Sequence, residues 1–389
     1  MTRARGFFMV LGCLVLGSAI ALDAFAEDSG EIPLPGSEVM PMAAFADRVE
    51  DAGGRVDFVF EDDRPFAQCH ASTIAQAADG TLVTAWFGGT REKNPDVGIW
   101  LSRLEGGEWT DPVEVAKIPD ARTGETAPHW NPVLFRPEGD ALYLFFKVGP
   151  EISHWQQFWM RSEDHGQTWT EPVELVPGDE GGRGPVRSKP IILSDGSWFV
   201  GSSTEQQGWR PFADRSTDGG ETWTRSDDFE LDVEGLLIRG AIQPAVWESQ
   251  PGHLHALMRT NGGVAVRADS TDFGDTWTPL YRTDLPNNNS GFDIEPLGDD
   301  RLILFYNPVG ANWGARFPLS LAVSHDNGET WRIFAHVEDD LTEGNEFSYP
   351  AIVRTEQGFA LSYTWQRQRI RAWHIPFALM DELTAEEAE

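Results

Sequence analysis

The octapeptide Ser162-Glu163-Asp164-His165-Gly166-Gln167-Thr168-Trp169 returns as STDGGETW at 216–223, STDFGDTW at 270–277 and SHDNGETW at 324–331. Its aspartates, Asp164, Asp218, Asp272 and Asp326, stand 54 residues apart each time. A fixed period of this size marks an array of like units whose terminal copies degenerate. A weaker copy, SRLEGGEW, lies at 102–109. The box has a local mechanism: short Asp and Ser side chains bond nearby backbone in a tight turn, glycine takes the left-handed conformation, and tryptophan fills the space between sheets. The boxes therefore read as folding elements rather than catalytic ones.

Between the boxes run TLVTAWF (81–87), ALYLFFKV (141–148), SWFVGS (197–202) and RLILFY (301–306), each introduced by Asp-Gly, Gly-Asp or Asp-Asp. β-Branched and aromatic runs between turn dipeptides read as strands. About 50 residues per four-stranded sheet is the size of a propeller blade. The expectation is an all-β, six-bladed β-propeller with Asp-box repeats over residues 55–376. Its last blade, from Ser348 to about His374, is short of residues, and the early run VDFVF (56–60) supplies the strand that closes the ring.

Outside the propeller, residues 1–26 read as a secretory signal, with Arg3 and Arg5, an apolar run, then AFA before Glu27. Residues 27–54 read as a leader wrapping the surface and 377–389 as a frayed acidic tail. No later segment is apolar enough to cross a bilayer, so the chain is expected in the secreted or periplasmic space. Cleavage removes Cys13 and leaves Cys69 alone, which rules out an internal disulfide and a Cys-based metal site. No motif implies a metal or other cofactor. A formal net charge of −32 argues against nucleic acid as a partner, because phosphate binding needs a basic face.

In a propeller the innermost strands crowd the axis, and their entrances form one mouth. Polar residues at those entrances are His70 in CHASTI, Trp130 and Asn131 in HWNPVLF, Arg187 and Lys189 in RSKPIIL, Gln243 in IQPAVW, Asp293 in NNNSGFDIEPL and Tyr349 in FSYPAIV. They recur about once per repeat, which brings them to a common centre. Trp130, Trp155 and Trp209 are candidate sugar platforms, and Asn131, Gln243, Asn289 and Asn307 candidate hydroxyl partners. A polar ring of this kind also serves merely to satisfy strand ends.

Repeated Asp-boxes on six blades, with HASTIAQAADGTLVTAWFGGTREKNPDVGIWLSR, WNPVLF, IQPAV, NNNSGFD and YPAIV, resemble the sialidase superfamily and its BNR-repeat bacterial branch. The resemblance covers roughly residues 56–374. It implies three arginines on a substrate carboxylate, a tyrosine nucleophile helped by a glutamate, and an acid/base aspartate. Sialidases are the tyrosine exception among glycosidases, since a neutral nucleophile is not repelled by a carboxylated anomeric centre. By position, the resemblance makes Asp96 the acid/base, with Arg91 and Glu92 beside it, Arg259 one triad arginine, Arg316 another and Tyr349 the nucleophile.

Two positions depart from the family pattern. Cys69-His70-Ala71-Ser72 stands where the first arginine of a Phe-Arg-Ile-Pro motif is expected, and Ile242-Gln243 where the tyrosine-activating glutamate is expected. His70, Asp96, Arg187, Lys189, Arg239, Arg259 and Tyr349 still make a set of acids, bases and cations suited to an acidic oligosaccharide. One expectation is an exo-glycosidase removing a terminal sialic or uronic acid, with Asp96, Tyr349 and His70 catalytic and Arg259 with Lys189 gripping the carboxylate. Another is a polysaccharide lyase in which His70, with an ordinary histidine pKa near 6.5, or Tyr349 takes the proton beside a uronate carboxylate. A third is a propeller that binds glycan without cleaving it.

Overall fold

The computed structural model describes residues 39–386. The signal expected at 1–26, with Cys13, the first part of the 27–54 leader and the last three residues lie outside the described residues. Among the described residues the strands form six antiparallel sheets. In chain order their innermost strands are Gln68–Gln76, His129–Phe135, Ile191–Ile192, Ala241–Gln250, Asp293–Pro296 and Phe347–Arg354, and each sheet runs outward from there. The structure is a six-bladed β-propeller.

The sixth blade is completed from the other end of the chain. Arg55–Phe58 pairs antiparallel with Arg369–Pro376, with Val56 opposite Trp373. This closure saturates an edge strand that would otherwise offer unpaired backbone.

Two segments expected to be irregular are helical. Within the 27–54 leader, Met42–Asp51 is a helix that buries Phe45 and Val49, and Phe45 stacks on Trp373 with ring centroids 5.3 Å apart. Within the 377–389 tail, Phe377–Thr384 is a helix that buries Leu379 and Met380. Both join one apolar cluster with Ile303, Phe305, Leu321, Ile352 and Leu361 of the fifth and sixth blades. Their charge hides their amphipathicity, because only two apolar side chains per helix are needed to anchor such short elements.

Each full box is built in the same way. The Ser hydroxyl donates to the Asp carboxylate (2.7–2.8 Å), the Gly N–H donates to the Ser oxygen, and the Thr hydroxyl donates to the other carboxylate oxygen. Glycine is not the sole left-handed residue: the residue before it, His165, Gly219, Phe273 or Asn327, also has φ between 58° and 75°. The weak copy at 102–109 is a tight hairpin, with Glu105 opposite Glu108 across Gly106-Gly107.

Two outcomes follow from this packing. Phe45 has no exposed surface, and Phe45→Ala is expected to cost about 3–5 kcal/mol, read as a lower urea midpoint with an unchanged slope. The box threonines pull Asp164 and Asp218 down to about 2, chiefly through their hydroxyls. Unfolded aspartate titrates near about 3.9, so this stabilisation is complete above that pH and is lost as pH falls towards about 2. Thermal midpoints should drop across that window, and the doubly substituted Asp164→Asn, Asp218→Asn protein should show a shallower drop from a lower starting value.

Candidate active site

The mouth is shaped by a repeated backbone device. Innermost strands one, two, four and six each lose register at their entrance, between His70 and Thr73, Trp130 and Val133, Ile242 and Ala245, and Ser348 and Ala351. At each bulge one residue is left-handed: Ala71 (φ 57°), Asn131 (41°), Gln243 (57°) and Tyr349 (54°). Such conformations cost about 1–3 kcal/mol in a non-glycine residue and cluster at functional sites. In three of the four the next residue is proline, Pro132, Pro244 or Pro350, which has no N–H to be orphaned where the ladder is broken.

Tyr349 is the centre of the site. Its ring lies 4.3 Å from the His70 ring, centroid to centroid. The guanidinium carbons of Arg187 and Arg316 are each 5.6 Å from the Tyr349 ring, and Arg259 Nη1 donates to the phenol oxygen at 3.2 Å. Arg259 comes from the mouth end of His253–Thr260 and is held by Gln243 Oε1 and Asn289 Oδ1, both at 3.1 Å. Its guanidinium lies 5.6 Å from the Trp209 ring and 5.9 Å from the Trp313 ring. Trp313 is 64% exposed.

A second layer fixes the cations. Glu346 takes Arg316 Nη1 at 2.7 Å and Arg367 Nε at 2.9 Å. Burial raises the Glu346 carboxyl, but the two guanidinium groups outweigh it and hold it ionised, below its ordinary value. Arg367 also pairs with Glu92, tying the loop of the first blade to the sixth. Arg367 sits in a hairpin turn with Gln366, both left-handed, with φ 53° and 54°. That turn type favours Asn-Gly, so a strained Gln-Arg pair is kept to place this charge.

Arg187 is different. It is 4% exposed, and its Nε and Nη2 are buried with no hydrogen-bond partner among the described residues. Burial depresses its pKa, with Asp293 and Tyr349 opposing the shift. Gly291 makes room: a Cβ there would come within 3.1 Å of Arg187 Nε.

The other expected residues fall into three groups. Lys189 and Asp293 meet at 3.0 Å, Lys189 also meets Glu295 at 3.1 Å, and Asp293 accepts the Ile352 N–H at 2.9 Å. This buried pair ties inner strands together, and burial of Lys189 is outweighed by the two carboxylates, which raise its pKa. Arg91 and Arg239 are exposed, and the Arg239 N–H donates to Asn261 Oδ1 at 2.8 Å. Asn131 is buried at its bulge. Trp130 and Trp155 pack edge-to-face on each other, with Trp130 Nε1 donating to the Gly149 carbonyl, so their faces are taken up inside the protein. Asn307 donates to the Pro318 and Phe347 carbonyls.

Two titrations differ from the sequence expectation. Burial, then Arg367, Arg316, Arg187 and Arg259, push His70 well below the ordinary histidine pKa, so it is a neutral ring bonded to Thr364 Oγ1 at 3.1 Å. Asp96 is exposed and accepts from the Thr90 hydroxyl and the Thr90 N–H. Those bonds, the hydroxyl first, lower its pKa.

Two carboxyls, Glu205 and Glu346, were missed by sequence reasoning. Glu205 accepts from Trp209 Nε1 at 2.8 Å, and burial raises its pKa against the pull of Arg259, the Trp209 bond and Lys93. A signal existed: Glu205, Arg259 and Trp313 each stand 11 residues before the serine of the following box. Glu346 was missed together with Arg367, because they lie in the blade that carries no box. Among the described residues, no group of three His, Cys, Asp or Glu is placed to hold a metal ion, and no helix is long and apolar enough to cross a membrane.

Residues 80–361 match the family model described as a BNR repeat-like domain. No curated protein sequence matches the chain. Among solved structures, the chain is similar to the Hadza microbial sialidase Hz136, with 17% identity, a TM-score of 0.68, and coverage of 84% of this chain and 69% of that one. It is similar to a protein of unknown function from Dyadobacter fermentans, with 18% identity, a TM-score of 0.64, and coverage of 83% and 99%. It is also similar to Trypanosoma rangeli sialidase in complex with sialic acid, with 16% identity, a TM-score of 0.62, and coverage of 83% and 59%. With four Asp-boxes, six blades and a family match over most of its length, this chain belongs to the BNR repeat-like family.

Proposed function

We propose that the mouth is the active site of an exo-glycosidase that removes a terminal acidic sugar, a sialic or uronic acid, from an oligosaccharide. One observation carries the reading: Arg187, Arg259 and Arg316 converge on Tyr349, and Arg187 keeps two buried N–H-bearing nitrogens unpaired. An unpaired buried cation is costly, and a substrate carboxylate supplies the missing acceptors in a planar, bidentate form.

With the carboxylate held there, the Tyr349 oxygen faces the anomeric carbon. Arg259, already bonded to that oxygen, stabilises the charge it acquires as its proton passes to solvent at the open mouth. Two carboxyls with pKa values pushed in opposite directions are the pattern of an acid and a base. Glu205, raised, protonates the departing glycosidic oxygen; Asp96, ionised, takes the proton from the incoming water. The acid role given to Asp96 by resemblance thus moves to Glu205, because Thr90 holds Asp96 in the form that cannot donate. His70 serves as a neutral wall for the Tyr349 ring. Four nearby guanidinium groups oppose its protonation, which weighs against a lyase using it as base.

Arg187→Met separates binding from folding. Removing a buried, unpaired charge should stabilise the protein by about 1–3 kcal/mol, seen as a higher thermal midpoint, while KM for an acidic glycoside rises by at least about tenfold. A lower midpoint with unchanged KM would remove Arg187 from the carboxylate site.

Glu205→Gln tests the acid. Turnover of an alkyl-linked acidic glycoside should fall by about 10²–10⁴, while a fluorogenic aryl glycoside, whose leaving group needs no proton, should keep most of its rate. Equal losses on both would exclude Glu205 as the acid. Binding of acidic oligosaccharide without turnover of any sialoside or uronide would make the mouth a lectin.

A further inference from the structure

The far end of the fourth blade holds three side chains that the mouth does not use. Ser249 lies at the end of Ala241–Gln250, His255 at the start of His253–Thr260, and Asp269 at the end of Val264–Ser270. His255 is directly opposite Asp269 on one side and Trp247 on the other, and Ser249, two residues beyond Trp247, is on the same face. A bulge between Glu248 and Gln250 takes Ser249 out of regular pairing. Ser249 is six residues along the strand from Gln243, about 20 Å from the mouth at about 3.3 Å per residue.

The three form a relay. Ser249 Oγ is 2.8 Å from His255 Nε2, and His255 Nδ1 is 2.5 Å from Asp269 Oδ1. The tautomer follows from a neighbour. Trp247 Nε1 donates to Asn327 Oδ1 at 2.8 Å, so the other end of that amide, Nδ2, donates to His255 Nε2 at 3.0 Å. Nε2 is therefore the acceptor and Nδ1 carries the proton towards Asp269. Asp269 also takes Tyr281 Oη at 2.6 Å and Arg267 Nε at 2.9 Å; Arg267 Nη2, 2.9 Å from His255 Nδ1, faces the protonated nitrogen and makes no hydrogen bond to it in this tautomer. Burial raises the Asp269 carboxyl, but the bonds from His255, Tyr281 and Arg267 outweigh this and hold it at about 2.

Ser249 is half-buried and lines a cavity of about 460 Å³ with Gln250, Arg301, His325, Asp326 and Asn327. We propose that Ser249, His255 and Asp269 form a second active site, a serine esterase centre that cleaves short-chain acyl esters of polar alcohols. The reading is independent of the chemistry at the mouth. It rests on the three roles a nucleophilic serine needs, namely a base within hydrogen-bond reach, a carboxylate that orients the base, and room for a substrate beside the hydroxyl.

Ser249 Oγ attacks the ester carbonyl carbon as its proton passes to His255 Nε2, and Asp269 stabilises the resulting imidazolium. The C–O bond to the alcohol breaks, and the alcohol leaves with the proton from Nε2. Water then attacks the acyl-Ser249 carbonyl, giving a proton to Nε2, which returns it to Ser249 Oγ as the carboxylic acid departs. Asn327 releases Nε2 as the serine proton moves onto it. Its amide group carries two hydrogens, which makes it the side-chain donor available to the developing oxyanion.

An alternative role for His255 is to glue blades four and five, since Asn327 and Arg267, which donates to the Asn327 carbonyl at 2.8 Å, span them. Ser249 is not required for that, so Ser249→Ala is the informative variant. Intact protein is treated with a fluorophosphonate and mapped by mass spectrometry, and hydrolysis of p-nitrophenyl acetate is followed for wild type, Ser249→Ala and Asp269→Asn, with thermal unfolding of each. The expected result is one adduct, on Ser249, and hydrolysis that falls at least about 10²-fold in Ser249→Ala with its thermal midpoint unchanged. No adduct on Ser249, or equal hydrolysis in wild type and Ser249→Ala, would overturn the proposal. The Asp269→Asn protein, if folded, should label more slowly, as loss of the orienting carboxylate demands.

Discussion

A guanidinium group cannot leave water without partners, and the mouth of this propeller is organised around that constraint. Four arginines surround one tyrosine and one histidine. Arg316 and Arg367 are balanced by Glu346 and Glu92 together. Arg259 is held by neutral amide oxygens and a phenol, which satisfy its N–H groups but leave its charge in place. Arg187 has neither kind of partner at Nε and Nη2. The positive potential is therefore graded, compensated at the sixth blade and uncompensated around Tyr349. Gln243 gives Arg259 a hydrogen bond without cancelling its charge, as a glutamate there would.

Backbone strain is concentrated where this charge is displayed. Left-handed Ala71, Asn131, Gln243 and Tyr349 turn the strand entrances, and left-handed Gln366 and Arg367 set the second layer. None of these is glycine, so each is maintained by its surroundings. The means are the interblade apolar clusters and the box bonds at the opposite end of the blades, where stabilisation is local and repeated. The closing strand Arg55–Phe58 and the two short helices add to the same two blades that hold Tyr349, Glu346 and Arg367.

The period of 54 between box aspartates carries the fold, because each box closes by short bonds among residues at most four apart, which any chain with that octapeptide can make. The inner-strand entrances were readable for the same reason, since the pattern of a polar residue before Pro132, Pro244 and Pro350 records a bulge in local sequence. What was not readable depends on partners far away in the chain. Lys189 looks like a free cation until Asp293 and Glu295 arrive from a blade roughly a hundred residues on. His70 looks like an ordinary histidine until the closed ring buries it and four arginines from other blades surround it. The helices at 42–51 and 377–384 were obscured because their apolar faces have meaning only against the closed fifth and sixth blades.

The carboxyl at Glu205 shows how a repeat protein can relocate a chemical group. Equivalent positions in successive repeats approach the same axis, and in blades three, four and five the residue 11 before the box serine belongs to one group around Arg259. Glu205, Arg259 and Trp313 occupy that position in three consecutive repeats, as acid, cation and exposed ring. Arg259 depresses the charge penalty on Glu205 and lies between Trp209 and Trp313, so the three positions already act on one another. In the proposed mechanism a carboxyl of blade three, Glu205, takes the acid role that the resemblance gives to Asp96 of blade one, without a change of fold. For this geometry the loss of a family residue at one position is weak evidence of lost chemistry, because other blades present side chains to the same point.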